Sequence, residues 1–234
     1  MSKKGQNKKL KALNAPKIVQ IKRKENVWTI KTRAGTHKAQ NSIPLGILLR
    51  DYIKIVGNLK EAKNILLNGE VKIDGKIRKD YRFGIGLFDA IIIKKQKLFY
   101  RMILDKKGRL KTKEMKEEPK DKICKVEHKK AFGKKIQITT NDGRTFINKE
   151  ANIGDSVKIN LHDGKIEKIL KQKQNATIYI TSGSHCSETG KIKEIIPSSI
   201  KREKLVKIEQ DGKIFETIIK NIIIIGDEKE EIQL

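Results

Sequence analysis

Twelve lysines and arginines crowd the first 38 residues, where they face a single acid, Glu25. Cationic side chains at this density bind phosphate or another anion by electrostatic attraction. No apolar period organises the segment into a helix or strand, and turn-forming residues such as Gly5 and Pro16 leave it without a core. The sequence therefore predicts a basic arm, disordered when free, that becomes ordered on a polyanion.

The charge of the whole chain indicates the same class of partner. The 54 basic and 28 acidic residues give a formal charge of +26. Such an excess repels itself unless a polyanion neutralises it, which favours nucleic acid. A membrane partner is disfavoured, because there is no basic amphipathic helix and no span of 18 apolar residues. The arm also lacks the apolar stretch of a signal peptide, and it is richer in Lys than the Arg- and Ser-rich transit peptides.

Residue types that perform catalysis or bind metals are too scattered to predict such a site. The four histidines have no serine, cysteine or carboxylate partner at a recognised catalytic spacing, so they are interpreted as RNA-contacting or surface residues. Cys124 and Cys186 form no CxxC pair, which favours a reducing, intracellular location. His185 and Cys186 offer two metal ligands, too few for a site. No cofactor is expected.

The first regular elements are predicted between residues 43 and 97. Apolar residues at positions 45, 48, 49, 52, 53 and 56 follow the spacing of an amphipathic helix over residues 44–57, opened by Pro44. A second helix follows, because Asn58 and Glu61 resemble a capping box and Asn68-Gly69 supplies a stop. Asp74-Gly75 then closes a predicted hairpin, and residues 88–93 form a last strand. Together these elements outline a small α+β module.

From about residue 99 onward, the chain is predicted to form short strands separated by turns. Asp-Gly pairs at residues 142–143, 163–164 and 211–212 mark these turns, at intervals typical of barrels and sandwiches. The charged stretch 111–122 is predicted to interrupt the strands as a helix or an ordered surface loop. The apolar run 222–225 is predicted to be a buried strand.

The segment ATIYITSGSHCSETGKIKEII, residues 176–196, resembles a KOW motif. Such motifs form the strand-loop-strand core of SH3-like barrels that bind nucleic acid or protein. Ser187 occupies the position where the motif most characteristically has glycine. The serine must therefore either adopt a backbone conformation that glycine normally takes or relax the loop.

Ordered matches along nearly the whole chain resemble the small-subunit ribosomal protein number four family of archaea and eukaryotes, the e-type family. Two departures lie in the arm, where Lys9 and Ala12 replace the usual histidine and arginine. The chain also lacks the basic tail of eukaryotic members, which favours an archaeal-type member. The matching segments are KLK at residues 9–11, APK at 15–17, RKENVW at 23–28, GTHK at 35–38, IPL at 43–45, LLRD at 48–51, EAK at 61–63, VKIDGK at 71–76, RKDY at 78–81, GLFD at 86–89, ICKV at 123–126, DGR at 142–144 and FET at 215–217.

The resemblance implies an α+β, mostly β protein that is a non-catalytic component of the small ribosomal subunit in the cytoplasm. Its expected partners are small-subunit ribosomal RNA and neighbouring ribosomal proteins, with no membrane and no small-molecule substrate. The expected organisation is a basic N-terminal arm (1–42), an α-L type RNA-binding module (43–97), a central β domain (98–172), a C-terminal KOW SH3-like barrel (173–226) and an acidic tail (227–234).

Lysines are expected to follow RNA phosphates, while arginines and aromatic or histidine rings make oriented or stacked contacts. The residues predicted to bind RNA are Lys3, Lys4, Lys8, Lys9, Lys11, Lys17, Lys22, Arg23, Trp28, Arg33, His37, Lys38, Arg50, Lys60, Lys63, Lys72, Arg78, Lys79 and Arg82.

Two other classes of function stay open at this point. The α-L module also occurs in RNA-modifying enzymes, but the sequence has neither the Arg-Leu-Asp run of pseudouridine synthases nor a GxGxxG cofactor loop. A free RNA-binding regulator that uses the KOW barrel is the second alternative. The long basic arm disfavours it, because such arms are costly unless they enter folded RNA.

Overall fold

The structure, a computed structural model, describes residues 9–133, 135–198, 203–210, 212–227 and 231–232. The chain divides into two compact units, which are described separately: residues 1–102 with 109–114, and residues 103–108 with 115–234. Some residues named above lie outside the described part: Lys3, Lys4, Lys8, Asp211, most of the acidic tail, and the side chain of Lys9.

The arm is folded from residue 9 onward, so the prediction of an arm without structure of its own is wrong for residues 9–42. Strands β1 (Lys9–Lys11) and β2 (Trp28–Ile30) pair antiparallel. Between them, Ala12 and Val19 are buried. The Arg23 guanidinium donates to four backbone carbonyls, at 2.6 Å from that of Ala15. Periodicity could not reveal this fold, because side-chain-to-backbone hydrogen bonds hold it together.

The first predicted helix is shorter than residues 44–57. Strand β3 (Ile43–Pro44) leads into α1 (Leu45–Ile47), which continues as a π-helical turn, Leu48–Tyr52. The helical region then stops, and Lys54 adopts a positive φ of 61°. Val56, the last residue of the predicted apolar stripe, is nevertheless buried, although it lies beyond the end of the helical region.

The second helix, α2 (Leu59–Leu67), confirms its predicted start. The Asn58 side chain accepts a 2.9 Å hydrogen bond from the backbone N–H of Glu61. The Glu61 carboxylate in turn accepts one from the Gly57 N–H at 2.9 Å. Ala62 and Leu66 face the core and are fully buried, as expected for an amphipathic helix.

Most strands of the first unit join one five-stranded sheet in the order β5-β4-β7-β8-β9, while β6 pairs with β3. Asp74 and Gly75 both have positive φ, 50° and 77°, as a two-residue type I′ hairpin requires, which confirms the predicted turn. The prediction of a helix or loop over 111–122 is wrong for residues 111–115, which lie in β9, whereas residues 116–120 belong to no helix or strand. The strands are β4 (Val71–Ile73), β5 (Lys76–Ile77), β6 (Gly84–Ile85), β7 (Ala90–Ile93), β8 (Leu98–Leu104) and β9 (Leu110–Met115).

The second unit contains two antiparallel five-stranded sheets, the first in the order β12-β11-β10-β13-β14. Its core is formed by residues such as Cys124, Val126 and Val157, all fully buried. The predicted Asp-Gly turns at 142–143 and 163–164 connect β11 to β12 and β13 to β14. The strands are β10 (Asp121–Phe132), β11 (Lys135–Thr140), β12 (Thr145–Ile147), β13 (Ser156–Asn160) and β14 (Ile166–Leu170).

The second sheet has the order β18-β17-β16-β15-β19 and holds the KOW-like segment as β15, loop and β16. In the loop, Ser187 has a φ of 74°, so the serine adopts the conformation that glycine normally takes. Its hydroxyl donates a 2.7 Å hydrogen bond to the Leu104 carbonyl, which helps to hold this conformation. The strands are β15 (Thr177–Ile180), β16 (Thr189–Ile196), β17 (Leu205–Gln210), β18 (Lys213–Ile218) and β19 (Ile222–Gly226), of which the last is the predicted buried strand.

Within the described part of the chain, no helix is long and apolar enough to cross a membrane.

Candidate nucleic-acid interface

Positive charge is concentrated in the first half of the chain. Residues 1–114 contain 30 basic and 9 acidic residues, a formal charge of +21, whereas residues 115–234 contain 24 and 19, a charge of only +5. Since a nucleic-acid partner is held first by its phosphates, the interface is expected on the first unit.

Many of the residues predicted to bind RNA are exposed on this unit. Among these cations, Lys22 pairs with Glu25 at 2.7 Å and Arg33 with Asp80 at 3.3 Å on the surface. Such exposed pairs are weak, so both cations can exchange the carboxylate for phosphate at little cost. The exposed predicted residues are Lys11, Lys17, Lys22, Trp28, Arg33, Lys38, Lys60, Lys63 and Lys79.

Two cations of the predicted 43–97 module lie over aromatic rings. Lys63 places its ammonium 4.6 Å from the centre of the Tyr81 ring, and the Arg78 guanidinium lies 4.4 Å from that of Phe83. These contacts restrict the two long side chains and reduce the entropy lost when a phosphate binds. Lys72, which is also predicted to bind RNA, lies on β4 and is partly buried.

Two of the arginines that were predicted to bind RNA instead form hydrogen bonds that hold the arm in place. Arg23 binds the arm carbonyls described above. Arg82 donates from Nε to the Lys31 carbonyl at 3.1 Å, and the Arg33 backbone N–H bonds the Arg82 carbonyl at 2.8 Å. Both guanidinium groups are partly buried. They position the exposed cations around them.

His37 is placed inside the first unit and not on its surface. Its Nε2 lies 3.0 Å from both carboxylate oxygens of Asp89, and the two side chains are only 7% and 1% exposed. The Gly86 backbone N–H also donates to Asp89, at 2.8 Å. A Cβ at Gly86 would lie 2.4 Å from the His37 ring, so glycine is required there. This geometry favours a positioning role for His37, which ties the end of the arm to the module.

A cleft of about 870 Å³ opens between the arm and the residues that follow α1. One wall carries Trp28, and the opposite wall carries Arg50 and Lys54. The walls are joined by a 2.7 Å hydrogen bond from the Gln20 backbone N–H to the Tyr52 hydroxyl. Burial raises the pKa of Tyr52, which keeps this hydroxyl neutral. Sequence reasoning missed Lys54, because the cleft is formed by two segments that are distant in sequence.

Arg50 lines this cleft, and its guanidinium is held in one orientation by the carboxylate of Asp51. Its Nε and Nη2 donate to the two carboxylate oxygens of Asp51 at 2.7 and 2.9 Å. Hydrogen bonding to Asp51 raises the pKa of Arg50, so the guanidinium stays charged. The pair fixes the plane of the guanidinium and leaves its charge only partly neutralised.

The second unit places charged groups inside its fold instead. Asp142 is 1% exposed and accepts contacts from Lys122 Nζ at 3.3 Å and Arg144 Nε at 3.0 Å. Burial by itself would raise the pKa of Asp142, but Lys122, the Thr140 hydroxyl and Arg144 together lower it to about 2. A carboxylate held ionised in this way is suited to structure and not to proton transfer.

Lys125 is a second internal charge of this unit. Its ammonium donates to the carbonyls of Ile219, Lys220 and Ile222 at 2.8, 3.0 and 2.7 Å. Burial lowers the pKa of Lys125 to about 8. The lysine thus connects β10 to the turn before β19 and is not available to a ligand.

Across the residues that the structure describes, no group of three or more His, Cys, Asp and Glu side chains is arranged to hold a metal ion.

Two family descriptions match the sequence. Residues 4–40 match the RS4NT domain, and residues 96–166 match the ribosomal family S4e. Similar proteins include small ribosomal subunit protein eS4 from Methanosphaera stadtmanae, which is 38% identical over 100% of this chain and 98% of the relative. The protein of the same name from Nanoarchaeum equitans is 34% identical over 92% of this chain and 93% of the relative.

A solved structure is also similar. The crystal structure of the 30S ribosomal protein S4e from Thermoplasma acidophilum is 35% identical in sequence and superposes with a TM-score of 0.70. The match covers 80% of this chain and 96% of the solved chain.

Proposed function

The chain belongs to the S4e family of small-subunit ribosomal proteins, and we propose that it is a structural constituent of the small ribosomal subunit. In this role it binds small-subunit ribosomal RNA, supports subunit assembly and translation, and performs no catalysis. The observation that carries the proposal is the 38% identity to a small ribosomal subunit protein over the full length of the chain.

The RNA is bound by the basic arm (1–42) and the module (43–97), mainly through its phosphates. The +21 charge of residues 1–114 supports this assignment. The cations held over Tyr81 and Phe83 support it further, because they are fixed in place before the RNA arrives. The bases of paired RNA are difficult to reach from its deep major groove, so shape and backbone contacts dominate there.

The remaining residues extend the proposal to the whole chain. The central β domain (98–172), the KOW barrel (173–226) and the acidic tail (227–234) contribute less to RNA binding and face neighbouring ribosomal proteins. Residues 98–234 contain 30 basic and 21 acidic residues, a formal charge of +9, against 24 and 7, a charge of +17, for residues 1–97, which supports this division. The place of action is the ribosome in the cytoplasm.

Salt dependence of RNA binding tests the proposal. If six to ten cations contact phosphates, the affinity of the full chain for deproteinised small-subunit ribosomal RNA should fall by roughly 10³- to 10⁵-fold between 50 and 200 mM salt. The affinity is measured by filter binding at several salt concentrations. A slope near zero would contradict the proposed phosphate-dominated interface.

A further inference from the structure

The cleft between the arm and the segment after α1 differs in chemistry from the surface around it. Lys22, Arg50 and Lys54 bring three positive charges to its lining, and Glu25 and Asp51 bring two negative ones. The polar residues Gln20, Asn26 and Thr29 also line it. A phosphate would need donors alone, whereas this cleft offers both donors and acceptors.

Trp28 is the aromatic residue of the cleft lining, beside the aliphatic side chains of Ile21 and Ile55. It is the chain's only tryptophan, and it is 54% exposed. A large aromatic ring exposed on a strongly basic unit is suited to stacking against a nucleobase, which has a π-face of its own. The edge of a base carries both donors and acceptors, and so it matches the mixed polar lining.

The cleft is also large enough and is held open by the fold. Its volume of about 870 Å³ lies within the range of roughly 300–1,000 Å³ that is typical of small-molecule sites. The hydrogen bond from Gln20 to Tyr52 fixes the distance between the walls, and the pairing of β1 with β2 fixes Trp28.

We propose that this cleft receives one unpaired nucleobase of the bound RNA, stacked on the indole of Trp28. Arg50 and the acceptors beside it contact the base edge, while Lys22 and Lys54 at the rim contact the adjoining phosphates. The inference rests on the proposed RNA-binding function and deepens it, because it adds a site for single-stranded RNA to a surface that otherwise follows phosphates.

The single tryptophan makes a direct test possible in the unmodified full chain. Trp28 fluorescence is titrated with a ten-residue adenylate RNA, a fully paired 20-base-pair RNA duplex, free AMP and deproteinised small-subunit ribosomal RNA. We expect strong quenching by the single strand and by the ribosomal RNA, and little by the duplex. Equal quenching by duplex and single strand would overturn the inference, as would AMP binding as tight as that of the oligonucleotide.

Variants separate stacking from folding. Trp28→Ala should weaken binding of the ribosomal RNA by about 5- to 140-fold, the range expected for one lost base–aromatic stack. Trp28→Phe should retain much of the affinity, because an aromatic face remains. Val27→Ala is the matched control, since Val27 is 68% exposed on the same hairpin and does not line the cleft.

The stacking site at Trp28 and the RNA-binding function can be tested separately. If ribosomal RNA binds with the expected salt dependence but Trp28 emission and the Trp28→Ala affinity are unchanged, the stacking site is wrong and the RNA-binding function stands. If ribosomal RNA does not bind at all, both are wrong. Circular dichroism of each variant shows whether a loss of affinity comes from unfolding.

Discussion

The two units of the molecule use charged residues in opposite ways. In the first, most cations predicted to bind RNA are exposed or held over aromatic rings, and residues 1–114 keep a formal charge of +21. In the second, many cations pair with acids: Lys122 with Asp142 in the interior, Lys158 with Asp121 at 3.2 Å in a partly buried pair, and Lys207 with Glu194 at 2.8 Å nearer the surface. A basic composition therefore does not make every lysine a ligand-binding residue. The fold decides which charges remain available.

The largest expected effect comes from removing available charge. Replacing Lys11, Lys17, Lys60 and Lys63 by Gln should lower ribosomal RNA affinity roughly 10³-fold at 100 mM salt and reduce the salt slope by about 3. Filter binding measures both quantities. The matched variant carries the same change at Lys130, Lys165, Lys171 and Lys213, which are exposed in the second unit. Equal losses in the two variants would remove the distinction between the units.

Breaking the buried pair of Lys122 and Asp142 tests whether the second unit uses this pair for stability. Asp142→Asn leaves the Lys122 ammonium, 1% exposed, without its carboxylate, and the free energy of unfolding should fall by about 3–5 kcal/mol. Urea unfolding measures this loss. Lys193→Gln, in an exposed pair with Glu209, is the control and should change stability by less than about 1 kcal/mol. An RNA affinity that fell with Asp142→Asn while the protein stayed folded would show that this charge also serves binding.

The pair of Lys122 and Asp142 also predicts that the free energy of unfolding depends on pH in the acid range. Asp142 has an ordinary pKa of 3.8, which the fold lowers to about 2. Its stabilising contribution is therefore complete above pH 3.8 and is lost as the pH falls toward 2, an effect of about 2 kcal/mol. Urea unfolding at several pH values measures it. The wild-type protein should lose more stability over this interval than Asp142→Asn, and parallel losses would contradict the assigned pKa.

In the first unit, the arginine that holds the arm should matter more for stability than one that faces solvent. Arg82→Ala removes the hydrogen bond to the Lys31 carbonyl and should lower the free energy of unfolding by about 2 kcal/mol. Arg33→Ala breaks only the exposed pair with Asp80 and should cost less than about 1 kcal/mol. Reversed magnitudes in urea unfolding would contradict the role assigned to Arg82 in holding the arm.

The smallest expected effect concerns the start of α2. Asn58→Ala removes the capping side chain and should destabilise the protein by about 1 kcal/mol. Asn64→Ala changes an exposed residue within the same helix and should stay within about 0.5 kcal/mol of the wild type. Thermal unfolding compares the two, and a larger loss from Asn64→Ala would contradict the assigned cap.

Local sequence signals predicted the elements that local interactions determine. The cap at Asn58 and the Asp74-Gly75 hairpin depend on a few neighbouring residues, whereas the sequence left two conformations open at Ser187 and the structure shows the one with positive φ. The errors arose where distant residues decide. The strand over 110–115 exists because of its place beside β8 in the sheet, although its sequence is charged enough for a surface loop or helix.

The same distinction applies to the candidate site. Composition predicted that the arm and module carry the binding charge, but it could not separate exposed cations from those that hold the fold. Arg23, Arg82 and His37 resemble ligand-binding residues in sequence, yet their partners are backbone carbonyls or a carboxylate far along the chain. The cleft beside Trp28 was not predicted, because its walls come from separate segments.

Sedimentation tests the central claim most directly. The full chain, expressed with a tag in archaeal cells, is followed through sucrose gradients that are run at low salt and again after a high-salt wash. We expect the chain to sediment with small ribosomal subunits and to remain there after the wash. Recovery of the chain only at the top of both gradients would contradict a structural role in the subunit.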